Sequence, residues 1–436
     1  MKASELRRLD GALSEFSDWL VSGLGPQQRL RSLQWYVTGL LLDGERKSID
    51  PMAGRLVEEP SRREAMRQRL QQAVVVARWT ESMLYERLAR RLDAELPGVE
   101  ALVIDDTGFP KKGRHSVGVA RQYSGTLGRT DNCQVAVSLH LASESGSGCI
   151  GMRLFLPESW TGDPERRRLA GIPDGVTFRK KWEMALEQLD HALAWGIRRH
   201  VVLADAGYGD CGEFRQALTD RGLSYVVGVQ STLMVWPPGS HPEAPSNDPR
   251  PGRPRTRIVD PHHPPQSIAI VAAGLSYRTV TWRAGSLGKQ RSRFAAVRVR
   301  TASQWTKGRP PSDEQWLLCE WPDDEKAPSK FYLSSLPEGI STKGLVRLAK
   351  LRWRVERDYQ ELKGEIGLDH FEGRTWNGFH HHAALCAAAH AFLALQRALF
   401  PPEDDEVDPA GGSPPAPALA PTAHRALPNV PSTAGS

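Results

Sequence analysis

Two short runs constrain this chain more than any other feature: Leu102-Val103-Ile104 ahead of Asp105 and Asp106, and Val201-Val202-Leu203 ahead of Ala204 and Asp205. Neither run alternates apolar with polar residues. A strand that reads as unbroken apolar sequence is buried on both faces, the situation of central strands in a sheet covered by helices. Glycine follows both runs closely, and proline follows the first at Pro110, so both strands are expected to end near their aspartates. Open α/β sheets place their sites at such carboxyl ends. An aspartate there is as readily a turn former or a helix cap, so neither position identifies a site alone.

A third acid lies far downstream. The segment Leu348 to Trp376, LAKLRWRVERDYQELKGEIGLDHFEGRTW, reads as one long helix and a short hydrophobic return. Leu348, Val355, Leu362 and Ile366 form an apolar stripe suited to packing on a sheet. Arg352, Glu356, Tyr359 and Lys363 share the adjoining face. On an isolated helix such a row is usually a surface ion ladder, worth about 0.2–0.5 kcal/mol per pair. The alternative is a catalytic acid flanked by phosphate-binding cations, and the two aspartates upstream shift the balance towards it.

In the order Asp106, Asp205, Glu356 these acids resemble the DDE triad of bacterial insertion-sequence transposases built on an RNase H-like fold. One branch of that family carries Tyr, two residues, Arg, three, Glu, six, Lys. Arg352, Glu356 and Lys363 stand at those spacings, with Ala349 where the family has Tyr. Asp106-Thr107, Asp205-Ala206-Gly207-Tyr208, Gly373-Arg374-Thr375-Trp376 and His380 to His382 are also similar to the family, and the resemblance extends over roughly 40–399. It implies a mixed α/β sheet flanked by helices, a helical N-terminal domain that binds DNA ends, and a β-rich insertion before the catalytic glutamate. Asp106, Asp205 and Glu356 would be both catalytic and metal-ligating, holding two Mg²⁺ or Mn²⁺ ions. Alternation puts Asp105 and Asp106 on opposite faces, and the family places its ligand immediately before Thr, which selects Asp106.

Chemistry on phosphodiesters suits this set. In-line attack at phosphorus needs charge on the entering and leaving oxygens, which two hard cations held by carboxylates can supply. Arg352 and Lys363 would pin the neighbouring phosphates, and Tyr359, Arg374 and His381 would also face the nucleic acid. Three consecutive helical histidines cannot face one ion, so His380 to His382 are expected to be a polar edge touching DNA. The partner is then double-stranded DNA, transposon ends and target, bound by a dimer, and the reaction is cleavage followed by joining of 3′-hydroxyls. A metal-dependent nuclease or resolvase on the same fold would need no joining step. A DNA-binding protein without catalysis would be expected to have lost part of the triad.

The charge is permissive of a polyanionic partner. Net charge is +6; five acids and one arginine put residues 401–436 at −4, which leaves +10 on the first 400. Five scattered cysteines form no CxxC and no Cys/His spacing, so neither a zinc site nor a disulfide framework is expected. Charges run through the N-terminus and no apolar run approaches the ~20 residues of a membrane span, so a cytoplasmic protein is expected.

The pattern divides the chain. Residues 1–97 read as helices, either a helix-turn-helix for DNA ends or a bundle serving as a lid or dimer surface. Residues 98–230 read as three strands, helix, strand, helix, strand, the element order of an RNase H-like core. Residues 231–328 hold an irregular loop from Trp236 to Pro265, with ten prolines and Arg250, Arg253, Arg255 and Arg257, then alternating strands at Ser267–Val271, Arg293–Thr301 and Glu314–Glu320. Trp282, Trp305 and Trp316 could stack on unpaired bases, although core is the commoner role of such residues and is favoured for Trp316. Residues 329–400 return to the core. The tail, 401–436, has nine prolines and no periodicity, and disorder is expected.

Overall fold

The computed structural model describes residues 3–245, 258–285, 288–302 and 311–400. The arginines at 250, 253, 255 and 257, Trp305 and the tail from Pro401 lie outside the described residues.

The N-terminal helices are α1 (Ala3–Val21), α2 (Gln27–Leu41), α3 (Ile49–Arg55), α4 (Arg63–Gln71) and α5 (Ser82–Glu95), with a π turn at Gln72–Val76. Strands β1 (Ala101–Pro110), β2 (Ala120–Ser124), β3 (Arg129–Ala142) and β4 (Ser147–Leu154) follow. Next come α6 (Glu158–Thr161), α7 (Pro164–Ala170), α8 (Lys181–Ala194), β5 (Val201–Ala204), α9 (Ala206–Gly209), α10 (Gly212–Asp220) and β6 (Tyr225–Val229). The insertion supplies β7 (Met234–Trp236), β8 (Gln266–Ser267), α11 (Ile268–Ala273), β9 (Arg278–Gly285), β10 (Gly288–Thr301) and β11 (Gln315–Trp321). The chain closes with β12 (Lys330–Ser334), α12 (Thr342–Leu351), α13 (Trp353–Gly364) and α14 (Trp376–Leu399).

The centre of the sheet runs β4-β3-β1-β5-β6, with β1, β5 and β6 parallel and β3 antiparallel to its neighbours. The mixed sheet flanked by helices is as expected. Beyond β6 the sheet continues through β12, β11 and β10, because β12 pairs antiparallel with β6, Phe331 opposite Val229. The insertion therefore extends the central sheet. Its strands also floor α12: Phe294, Leu318, Leu345 and Val346 share one buried cluster.

Several local expectations change. Ser267–Val271 is mostly the helix α11, since IAIVAA buries Ile268, Val271 and Ala272 at helical spacing. Strand β4 is an addition; its Gly148 and Gly151 interrupt the apolar pattern. A Cβ on Gly148 would stand 2.7 Å from Leu92 Cδ1 and one on Gly151 2.6 Å from Gln188 Oε1, so either substitution would force those side chains to shift. The long helix is two, α12 and α13, meeting at Arg352. Strand β1 continues past both aspartates to Pro110, held by β3 along its whole length, so only Asp205 stands at a strand end.

The last helix is buried from Gly378 to Leu395 on every side, between β4, α5 and α2. Small residues, Ala383, Ala384 and Ala387 to Ala389, permit that close packing. Among the described residues no helix is long and apolar enough to cross a membrane.

Candidate active site

Parallel pairing sets Ala101 beside Val201, Leu102 beside Val202 and Val103 beside Leu203. Two residues further along each chain stand Asp105 and Asp205. Side chains alternate along a strand, so Asp105 points to the side of Val103, which packs with Leu203 in the cluster beneath α12 and α13, while Asp205 stands just past the end of β5, where its charge acts on Arg352. Asp106 points to the other side, where its carboxylate pairs with Lys181 at the start of α8. The structure thus brings Asp105, not Asp106, to the face that carries Glu356. The family pattern favoured Asp106, but a pleated strand cannot turn consecutive side chains the same way.

Asp205 ends β5 in extended conformation and leads into the short helix α9. That helix lies flat on β6, because a Cβ on Gly209 would overlap the Gly228 carbonyl. Packing on β6 thereby explains Gly209, whereas a Cβ on Gly207 would stand 3.1 Å from Asp205 Oδ1. Asp205 Oδ1 is buried without a hydrogen-bond partner. Burial raises the pKa of this carboxyl, Arg352 opposes the rise and the charge of Asp106 adds to it. Burial likewise pushes Asp105 up to about 7, with Arg352 opposing and Asp205 adding.

Arg352 sits at the seam of α12 and α13 and joins the acids. Its Nη1 donates to Asp105 Oδ2 at 2.9 Å and its Nη2 to Glu356 Oε1 at 2.9 Å. Glu356 is exposed, its side chain 60% accessible, so it is free to reorient. Lys363 makes no ladder with Glu356; its amine donates to Gly108 O at 2.9 Å and lies 3.2 Å from Thr126 Oγ1. Burial pulls its pKa down to about 8.

The other expected DNA contacts separate. Arg374 is exposed, on a cleft of about 310 Å³ that Arg46, Lys111 and His115 also line. Tyr359 turns inward, its hydroxyl 2.6 Å from Ser138 Oγ. His381 is buried, stacked on Trp79 at 3.8 Å between rings, with its nitrogens 2.8 and 2.9 Å from the Val74 and Trp79 carbonyls. His380 and His382 are buried as well, so the polar edge expected to touch DNA is an internal one: α14 leaves no face to the surface there. Trp316 is half-buried and donates to Pro337 O at 3.2 Å, and Trp282 meets Phe294 edge-on at 5.7 Å, both packing roles.

Asp105, Asp205 and Glu356 offer hard carboxylate oxygens, the donor type that suits magnesium or manganese. The unpartnered buried Oδ1 of Asp205 is an acceptor that a cation would satisfy. Among the described residues no three of His, Cys, Asp and Glu stand close enough to enclose one ion as they are. Arg352 balances the acids instead.

Two comparisons with known proteins bear on the family. Over 135 residues the chain is 33% identical to the probable transposase for insertion sequence element IS701 of Microchaete diplosiphon, covering 31% of this chain and 33% of that protein. The chain thus matches about a third of the length of this curated relative. A family model described as DDE superfamily endonuclease matches residues 20–315, which includes Asp105, Asp106 and Asp205 and ends before Glu356. That match spans more than half of the sequence, and the chain belongs to the DDE superfamily endonucleases.

Proposed function

We propose that this protein is the transposase of an insertion sequence, which binds the ends of its element, cuts them and joins the 3′-hydroxyls to target DNA. The observation that carries the reading is the set of three acids around Arg352: Asp105 on β1, Asp205 just past the end of the neighbouring parallel strand β5, and Glu356 on α13. Family membership and the transposase relative support it.

In this reading Asp105, Asp205 and Glu356 hold two divalent cations, whose chemistry when bound is activation of the attacking oxygen and stabilisation of the leaving one. Glu356 is the mobile member, since one ion pair to Arg352 is its hydrogen-bonded tie to the site. Arg352 neutralises the carboxylates in the free protein and offers a planar, bidentate guanidinium to a phosphate. Lys363 and Arg374 extend the phosphate track along β1 and the adjoining cleft. The protein works as a dimer on double-stranded DNA in the cytoplasm.

The test is a nicking and joining assay on DNA carrying the element's ends, with Mg²⁺. Wild type should cut and join, while Asp205→Asn and Glu356→Gln should bind the ends in a gel shift and do neither. Cutting without joining would leave a nuclease or resolvase. A Glu356→Gln variant that still cuts would remove Glu356 from the site.

A further inference from the structure

Helix α13 turns a second polar row inward. Arg354, Asp358 and Glu361 are 8%, 3% and 4% exposed, although WRVERDYQELK reads as a solvent face. Asp358 Oδ2 lies 2.6 Å from His140 Nδ1 on β3, and its Oδ1 accepts a hydrogen bond from Ser147 Oγ on β4. His140 Nε2 lies 3.0 Å from Ser138 Oγ, which also meets Tyr359. Ser138 stands opposite Asp105 in the β1–β3 register. On the α14 side, Glu361 Oε2 lies 3.2 Å from His390 Nε2 and 2.6 Å from Arg397 Nη1. Arg357 of α13 itself donates to Glu361 Oε1 at 2.9 Å.

Two buried carboxylates on one helix are a poor route to stability, since desolvation offsets most of what pairing returns. They do fix rotation. At about 100° per residue Asp358 lies some 200° around the helix from Glu356, so the inner row and the site residue face opposite ways. Turning α13 by one residue would carry Asp358 away from His140 and Glu361 away from His390, leaving both charges unpaired in the interior.

We propose that Asp358 and Glu361, with His140 and His390, are positioning residues: they lock the rotation of α13 and so hold Arg352 and Glu356 over Asp105 and Asp205. The proposal rests on the reading of Glu356 as part of the catalytic site. The test compares the full-length wild type with Asp358→Asn and with the paired replacement His140→Leu/Asp358→Leu, which leaves no lone charge. In both variants, amide hydrogen exchange over 353–364 should quicken while β1 and β5 stay protected. In the paired variant kcat for nicking should fall on the order of 100-fold, the cost of a misplaced catalytic group, with KM for DNA and the melting temperature held. Asp358→Asn should fall less, because it keeps an acceptor for Ser147. If the paired variant does not fold, Asp358→Asn carries both readouts. Unchanged exchange over 353–364 overturns the lock, and so does a loss of nicking matched by equal losses of melting temperature and DNA affinity. A wild type that binds DNA and never nicks sinks the functional reading instead, and exchange still decides the lock.

Discussion

The amine of Lys363 is half-buried against a carbonyl and a hydroxyl, and that makes its charge conditional. Its pKa lies near 8, pulled down by burial, against an ordinary 10.5 in the unfolded chain. Between those values the unfolded state binds the extra proton, so stability should rise with pH through that window; below 8 both states are charged and the burial cost is full. Lys363→Met should abolish this rise, measured by urea unfolding across the window. A phosphate beside the amine would restore its proton, so DNA affinity should fall as pH climbs past about 8. Lys363→Ala should flatten that dependence and lower the log–log salt slope by about 0.9, on any duplex sequence. Equal slopes for wild type and variant would take Lys363 off the phosphate track. The neighbouring aspartates make a separate prediction. Asp105→Asn should abolish both Mn²⁺ binding, followed by titration calorimetry, and nicking, whereas Asp106→Asn should retain Mn²⁺. The reverse result would restore Asp106. Sequence could say that the two face opposite ways, but not which way. In an all-apolar run neither face is marked as solvent, and only the helix laid on one side decides.

At the scale of elements, legibility followed periodicity. Helix α8 and strands β5 and β6 were readable because each is a clean helical or apolar run between turn residues. Strand β4 was hidden because Gly148 and Gly151 break its run, and their reason lies in other elements: Leu92 of α5 and Gln188 of α8 occupy the space of their Cβ atoms. Gly148→Ala should therefore cost about 1–3 kcal/mol through overpacking, read as a lower urea midpoint at unchanged slope. Gly125→Ala, with open space around it, should be nearly neutral. The row Arg354, Asp358, Glu361 carried no signal in the sequence for a different reason. Its spacing is that of an exposed ion ladder, and the partners that allow its burial, His140, Ser147 and His390, come from segments far away in sequence. Of the candidate site, Asp205, Glu356 and Arg352 were legible as motif positions; Asp105 in place of Asp106, and the inward turn of Tyr359 and His381, were not.

The whole molecule sets its net charge by what it carries past the core. The last buried residue of α14 is Leu395, and Leu399 and Phe400 are exposed, with Arg8 over the Phe400 ring at 3.7 Å. Residues 401–436, which lie outside the described residues, hold five acids, one arginine and nine prolines, the composition behind the expectation that the core does not need them. Truncation after Phe400 should thus leave the melting temperature unchanged; a clear drop would mean that the tail docks. The same truncation raises the net charge from +6 to +10. A polyanion approaches a more positive body faster, and the gain is screened over about 8–10 Å at physiological salt. Association with DNA should therefore quicken in the truncated protein at low ionic strength and converge on the full chain's rate as salt rises. Dissociation should barely change, because in the proposed function the contacts made once bound come from Arg352, Lys363 and Arg374. Stopped-flow association at several salt concentrations separates these terms. Identical association rates at the lowest salt would mean that the tail's acids stand too far from the DNA path to act on it.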